Sequence, residues 1–251
     1  MTVMSSGNTV NEYLEALLLG MHSVNQLAFV EAFHGRYSAQ VGDVVVGIVQ
    51  KIAGNCWLIE IGSSERVQLS IFQVNTDGLA NRRKLDEDLY EMKNIFNIDD
   101  VISCEVQRLS ANGTVMLQTR TTKYGRLSNG VLVNVKPTLM LRQSKHIHDL
   151  VCGVRMILGC NGFIWLAPSE EVVAPVNKTE VFHNICTLRT IILSLAEANI
   201  KINHSIIMEM FEFFKRHFPR EGCLQKHQAP QLLMSFLENR TGMAISIDST
   251  H

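Results

Sequence analysis

The residues with the clearest chemical potential are lysines and arginines that could bind phosphate groups. The whole chain carries 23 Lys and Arg against 24 Asp and Glu, a formal charge of −1. Residues 121–165, here called the basic segment, carry six basic side chains against one acidic one, a net charge of +5. The total excludes a strongly basic, histone-like polyanion binder, but the basic segment could bind a phosphate backbone locally. The candidate phosphate-contacting residues are Arg82, Arg83, Lys84, Lys123, Arg126, Arg142 and Lys145.

Both groups of basic residues have an alternative interpretation. Arg82, Arg83 and Lys84 are followed at once by the acidic residues 86–88, so they form either a solvated helix start or the rim of a nucleic-acid site. The cations of the basic segment have little acidic compensation in sequence. They could contact phosphates, dock an acidic protein surface, or lie on a solvated surface.

Aromatic side chains could add base stacking to these phosphate contacts. Trp57 and Phe72 are the aromatic residues available in the strand-rich region of the chain. The neighbours Cys56 and Leu58 do not settle which way Trp57 faces, so it is either a core residue or a base-stacking residue. Such a stacking platform is weak, and binding would depend mainly on charge.

The sequence contains no pattern that indicates catalysis. Paired-carboxylate clusters, a Walker-type phosphate loop and a nucleophile elbow are all absent from it. Cys152 lies four residues after His148, but a catalytic base must be a neighbour in space. His146 and His148, taken with Cys152 and Cys160, fit no standard zinc spacing. We therefore predict a non-catalytic protein that uses no metal and no cofactor.

Composition indicates folded domains in a reducing compartment. Hydrophobic residues make up 46% of the 251 residues and charged residues 19%, which excludes a disordered chain or a coiled coil. The six cysteines are widely spaced and form no CxxC pair, as expected for reduced thiols. No run of 18 apolar residues occurs, so no membrane span is predicted. Glu12 and Glu15 argue against a signal peptide.

Residues 41–120 predict a small β-barrel. Apolar and β-branched runs at residues 44–49, 56–61 and 66–70 are separated by glycine-containing turns and predict three strands. Apolar residues at 4-3-4 spacing predict an amphipathic helix within residues 81–96, and two further strands follow at 101–109 and 114–119. This order is that of a five-stranded oligonucleotide-binding (OB) barrel.

The C-terminal third is predicted to be α+β. Residues 155–158 and 163–166 are strand-like and flank the loop Gly159-Cys160-Asn161-Gly162. A long helix near residues 179–195 and two shorter ones near 205–214 and 230–237 follow. Residues 131–135 alternate like one more strand within the basic segment.

Six short motifs follow one another in order along the chain. They are VGDVVVG at residues 41–47, LQTR at 117–120, KYGRL at 123–127, GVLV at 130–133, HIHDL at 146–150 and the stretch 157–165. In this order and spacing they resemble the ribosomal RNA-processing protein 4 family, whose members are cap subunits of the RNA exosome. The match covers roughly residues 23–166.

The resemblance implies a multi-domain fold of the β and α+β classes. Its parts are a five-stranded OB-type (S1) barrel at residues 41–121, a basic connecting segment at 122–144, and a K-homology-like domain with C-terminal helices at 145–251. Residues 1–40 are predicted to be a short or atypical N-terminal segment, because the family's glycine-containing β segment is not found in residues 1–22. In the K-homology loop, Gly159, Asn161 and Gly162 either approach a nucleotide backbone or form a tight turn between domains.

The resemblance also implies a function and partners. The chain would be a non-catalytic, RNA-binding subunit that guides single-stranded RNA 3′ ends to a ring and its associated nuclease, for rRNA processing and RNA degradation. The expected partners are single-stranded RNA, ribonuclease-PH-like ring subunits and other cap subunits, with no membrane. The expected locations are the nucleus, nucleolus and cytoplasm. The alternative is a purely structural assembly module whose basic segment docks a protein rather than RNA.

Overall fold

A computed structural model describes residues 21–24, 27–30, 35–75, 92–169, 178–218 and 222–241, and the chain divides into two units. The first unit, Met1–Arg36, contains the described strands β1 (Met21–Val24) and β2 (Leu27–Val30). They pair antiparallel, with Met21 opposite Val30. The second unit, Tyr37–His251, contains the other described elements.

Five strands of the second unit close into a barrel. They are β3 (Val44–Ala53), β4 (Cys56–Glu60), β5 (Val67–Val74), β6 (Val101–Leu109) and β7 (Val115–Thr119). The strand order is β3-β4-β5-β7-β6, and β3 pairs with β6 to close the barrel. β5 and β7 are parallel and the other neighbours are antiparallel. This is the predicted five-stranded OB-type barrel.

The barrel core follows from alternation along each strand. In β5, Val67, Leu69 and Ile71 are buried while the residues between them are not, as period-two strands require. The short helix α1 (Met92–Ile95) adds Met92, and Phe96 follows it into the same core. The helix predicted within residues 81–96 is thus present at its end, and the remainder lies outside the described residues.

The second domain is a four-stranded antiparallel sheet with helices. Its strands are β9 (Val131–Asn134), β10 (Ile147–Asp149), β11 (Val154–Leu158) and β12 (Phe163–Pro168), in the order β10-β11-β12-β9. The helices are α2 (Lys178–Glu197), α3 (His204–His217) and α4 (Ala229–Thr241). They share one core with the sheet, in which Ile164, Leu188 and Phe214 are fully buried. None of the described helices is long and apolar enough to cross a membrane.

Residues 122–144, predicted to be a connection, contribute a strand to each domain. A further strand, β8 (Gly125–Leu127), pairs with β6 at the barrel edge, and β9 pairs with β12. Apolar contacts favour both strand pairings, because Leu127 of β8 and Leu132 of β9 pack against the apolar cluster between the domains that is described below. The true connection is therefore short, and it joins two domains whose position is fixed.

Candidate nucleic-acid interface

The K-homology loop binds the barrel through Asn161. Its side-chain Oδ1 accepts a hydrogen bond from the Val46 amide at 3.3 Å, and its Nδ2 donates to the carbonyls of Val46 at 2.7 Å and Ile61 at 2.9 Å. The paired residues of β3 and β4 run only as far as Ile48 and Glu60. The Asn161 carboxamide therefore occupies the place where these two strands separate, and it satisfies backbone groups that would otherwise be buried without partners.

Both glycines of the loop are required by this close packing. A Cβ on Gly159 would lie 2.5 Å from the Phe163 carbonyl oxygen, which is too close for a real contact. Gly162 has φ +85°, and a Cβ there would collide with the Val135 carbonyl. Asn161 is only 1% exposed. Of the two interpretations of the loop, the turn between domains is the correct one, and the Asn161 side chain is not available to RNA.

An apolar cluster completes the contact between the two domains. Val46 of the barrel packs with four buried residues of the second domain, and Val101, Leu127, Leu132 and Ile147 pack around them. Close-packed interfaces of this kind hold one arrangement rather than sliding. The barrel and the K-homology sheet therefore present surface residues to each other in a fixed geometry. The four buried residues of the second domain are Ile157, Phe163, Trp165 and Ala167.

A groove of about 550 Å³ lies where the two domains meet, and it brings two of the predicted lysines together. Lys123 comes from the turn before β8, and Lys145 from the segment before β10. Both side chains are exposed. Within the described part of the chain neither lysine forms an ion pair with a carboxylate. The groove, here called the interdomain groove, is lined by Val44, Thr122, Lys123, Tyr124, Ser144, Lys145, His146, Ile147, Asp149 and Arg155.

The arginines of the basic segment differ from these lysines because each is paired with an aspartate. Two of the three aspartates lie outside the basic segment, so the free positive charge is smaller than the sequence count of +5. The Arg155 guanidinium holds the pKa of Asp149 below its ordinary value. The pairs are Arg126–Asp100 at 2.9 Å, Arg142–Asp43 at 3.1 Å and Arg155–Asp149 at 2.8 Å.

Arg142 has a positioning role in addition to its charge. Its partner Asp43 also accepts a hydrogen bond from the Tyr37 hydroxyl at 2.6 Å and one from the Gln40 amide at 3.2 Å. Burial and the Asp43 carboxylate raise the pKa of Tyr37 well above its ordinary value, so this hydroxyl remains a donor. Arg142 thereby ties the segment that carries Lys145 to the barrel.

Of the two interpretations of Trp57, the core residue is correct, and its place among the RNA-binding candidates is wrong. Trp57 is 0% exposed, its Nε1 donates to the Phe96 carbonyl at 3.1 Å, and its ring meets the Phe96 ring edge-on at 5.2 Å. The cause is register, because Trp57 lies opposite Leu69, another core residue. Phe72, by contrast, faces outward on the barrel, with 56% of its surface exposed.

Arg82, Arg83 and Lys84 lie outside the described residues and stay predictions. The groove also contains Tyr124, His146 and Arg155, which are not among the RNA-binding residues predicted from the sequence. Tyr124 follows Lys123 directly within the KYGRL motif. That adjacency of an aromatic and a basic residue was the available signal.

Neither Cys152 nor Cys160 is an activated nucleophile, although the Cys160 Sγ lies 3.8 Å from His146 Nε2. His148 Nε2 bonds to the Lys145 carbonyl at 3.0 Å, and its ring stacks on His204 with centroids 4.1 Å apart. Burial raises the pKa of the Cys152 thiol, and it raises that of Cys160 to about 11, so neither is an activated thiolate. In the part of the chain that the structure describes, no three His, Cys, Asp or Glu side chains are placed to hold a metal ion.

The stacked histidines predict a pH dependence of stability. Burial and the neighbouring His204 lower the pKa of His148 to about 4, against about 6.5 for a free histidine. Between these values the unfolded chain binds a proton that the folded chain does not bind. The contribution of His148 to the free energy of unfolding is therefore complete above pH 6.5, and it is lost as the pH falls toward 4.

We expect the thermal midpoint of unfolding to decrease as the pH is lowered from 6.5 to 4.5. We expect this decrease to be smaller in a His148→Gln variant. Differential scanning fluorimetry across this pH range measures both. His227→Gln, which removes an exposed histidine, is the matched control and should follow the wild type. A His148→Gln variant with the full wild-type pH dependence would contradict the assignment.

Comparisons with known proteins support the same two domains. The family profile "RRP4, S1 domain" matches residues 36–108, and a "KH domain" profile matches residues 130–172. A crystal structure of a protein described as an exosome complex RNA-binding protein superposes with a TM-score of 0.50. The superposition covers 74% of the present chain and all of the other protein, at 18% sequence identity. This similarity concerns the fold.

Similar proteins share one name across distant organisms. Exosome complex component RRP4 of Bos taurus is 38% identical over 200 residues, which cover 75% of this chain and 68% of that protein. The Mus musculus protein of the same name is 43% identical over 59% of this chain, and the Saccharomyces cerevisiae one 35% over 59%. The matched region spans 50% and 42% of those two relatives. With both domains present and more than two thirds of the Bos taurus protein matched, the chain belongs to the family of exosome complex component RRP4.

Proposed function

We propose that the chain is an RNA-binding cap subunit of an RNA exosome, which guides single-stranded 3′ ends to the ring and its associated nuclease for rRNA processing and RNA degradation. The family, the S1-type barrel and the K-homology domain support this proposal. The observation that carries it is the meeting of Lys123 and Lys145 in one groove between two locked domains. A family of complex components also agrees with the prediction that the chain is not an enzyme.

The groove favours contact with the phosphate backbone over reading of bases. An exposed ammonium group is a point charge that attracts any phosphate, and such contacts position RNA without sequence selection. Each phosphate neutralised on a single strand lowers the slope of log K against log salt by about 0.7. With a formal charge of −1 on the whole chain, we expect the isolated chain to bind RNA weakly and its neighbours in the complex to add further contacts.

The proposed partners follow from the same role. They are single-stranded RNA, the ribonuclease-PH-like subunits of the ring and the other cap subunits. The proposed locations are the nucleus, nucleolus and cytoplasm, where rRNA processing and RNA degradation take place.

Binding and cleavage can be tested with one labelled RNA. The full chain is titrated into a 5′-fluorescein single-stranded RNA with a free 3′ hydroxyl, and anisotropy is followed from 50 to 200 mM salt. The same mixture with Mg²⁺ and phosphate is then run on a denaturing gel. We expect binding that weakens with salt and no shortening of the RNA.

Two results would contradict the proposal. Progressive 3′ shortening would show that the chain is a nuclease. The absence of binding at 50 mM salt would show that the groove does not bind RNA. It would favour the alternative, an assembly module whose basic segment docks an acidic protein.

A further inference from the structure

Tyr124 contributes a phenol ring to the interdomain groove. It comes from the same turn as Lys123, closed by the Tyr124 amide donating to the Thr121 carbonyl at 3.1 Å. The side chain is half-buried, and the Glu105 carboxylate on β6 lies close enough to its hydroxyl to raise the pKa of the phenol. The ring is therefore partly packed against its surroundings while it lines the groove.

This partial burial makes Tyr124 suited to stacking. A ring that is already fixed loses little conformational freedom when a flat ligand binds to it. Burial and the Glu105 carboxylate raise the pKa of Tyr124, so the phenol remains neutral and does not repel phosphates. The carboxylate that lines the groove, Asp149, is neutralised by two hydrogen bonds from Arg155 at 2.8 and 3.2 Å.

The size of the groove limits what can occupy it. A volume of about 550 Å³ lies within the range of roughly 300–1,000 Å³ that small-molecule sites occupy. It can admit a nucleotide or a few side chains but not a folded domain. A half-buried aromatic ring beside two exposed cations matches a nucleotide, which has one flat base and a phosphate on each side.

We propose that the interdomain groove is a nucleotide subsite for single-stranded RNA, in which a base stacks on Tyr124 and the flanking phosphates contact Lys123 and Lys145. This inference rests on the proposed function, and it adds a contact with the base to the proposed contacts with phosphates. Stacking on an aromatic ring is tolerant of sequence because every base has a π-face. The subsite would therefore hold any RNA that passes through the groove.

The test compares an ordinary single-stranded RNA with an abasic ribose-phosphate oligomer of the same length and charge. Base stacking is worth about 1–3 kcal/mol, so its loss at one base weakens binding by about fivefold or more. We expect Tyr124→Leu to weaken binding of the ordinary RNA about fivefold and to leave abasic binding unchanged. Tyr124→Phe, which keeps the ring, should remain close to the wild type. Lys123→Ala should weaken binding of both oligomers equally.

The outcomes separate the inference from the function on which it rests. If the wild type binds both oligomers with equal affinity, the stacking proposal is overturned while RNA binding stands, whether or not the Tyr124→Leu variant folds. If the wild type binds neither oligomer at 50 mM salt, the proposed function is overturned. A thermal midpoint for each variant confirms that the affinities come from folded protein.

Discussion

Replacing Asn161 with alanine is expected to lower the free energy of unfolding by about 3–5 kcal/mol. The change leaves the Val46 amide and the carbonyls of Val46 and Ile61 without their partner. Each unsatisfied buried group costs about 1–3 kcal/mol, and water that enters the space left by the side chain restores part of the loss. Few single substitutions reach this size without removing a core side chain.

Asn161→Asp tests the donor half of the interaction at nearly constant volume. A carboxylate can accept from the Val46 amide, but it cannot donate to the two carbonyls, and it places a charge in a buried interface. We therefore expect a loss at least as large as that of Asn161→Ala at neutral pH. The matched control is Asn112→Ala, which removes an exposed turn asparagine whose side chain bonds to one amide, that of Thr114. It should cost about 1 kcal/mol or less.

Urea unfolding followed by tryptophan fluorescence measures these effects domain by domain. The chain has two tryptophans, Trp57 in the barrel core and Trp165 at the contact between the domains. Single Trp→Phe backgrounds therefore report on one region at a time. A loss below 1 kcal/mol for Asn161→Ala, seen by both reporters, would contradict the role of the loop in joining the domains.

The Lys123→Ala/Lys145→Ala double variant is expected to bind RNA about 25-fold more weakly at 0.1 M salt. Each lost phosphate contact removes about 0.7 from the slope of log K against log salt, so two contacts lower log K by about 1.4 at this salt concentration. The slope of log K against log salt should become shallower by about 1.4 for the same reason. Fluorescence anisotropy over a salt series measures both quantities. Neither lysine has a carboxylate partner in the described residues, so folding should be unaffected.

The control for this variant is Lys136→Ala/Lys178→Ala. It removes the same charge from two positions outside the groove, the half-buried Lys136 and the exposed Lys178. Among the contacts described, Lys136 bonds only to the Asn199 side chain at 2.9 Å. We expect less than a twofold change in affinity. Equal losses in both double variants would mean that RNA responds to overall charge rather than to the groove.

Much of the fold could be predicted because its signals are local. Alternation of apolar residues defines the barrel strands, and the observed strand Val101–Leu109 has the predicted bounds. Prediction fails where the sequence does not define which side of the sheet a side chain occupies. Cys56 and Leu58 flank Trp57 with side chains that suit either face, and only the pairing with Leu69 on the next strand directs the indole inward.

The candidate site was harder to predict because it depends on contacts distant in sequence. Asn161 lies 115 residues from Val46, its partner across the domain contact. Arg142 lies 99 residues from Asp43, so counting charges along a segment cannot show which cations are already paired. Lys123 and Lys145 differ from the arginines only in the folded chain, where each arginine has an aspartate within reach.

The most direct test of RNA contact at the interdomain groove is crosslinking within the assembled complex. RNA containing 4-thiouridine near its 3′ end is bound, irradiated and digested, and the crosslinked peptides are identified by mass spectrometry. If RNA passes through the interdomain groove, we expect adducts on the peptides that contain residues 122–126 and 144–149. Adducts found only on other parts of this chain or only on neighbouring subunits would contradict it.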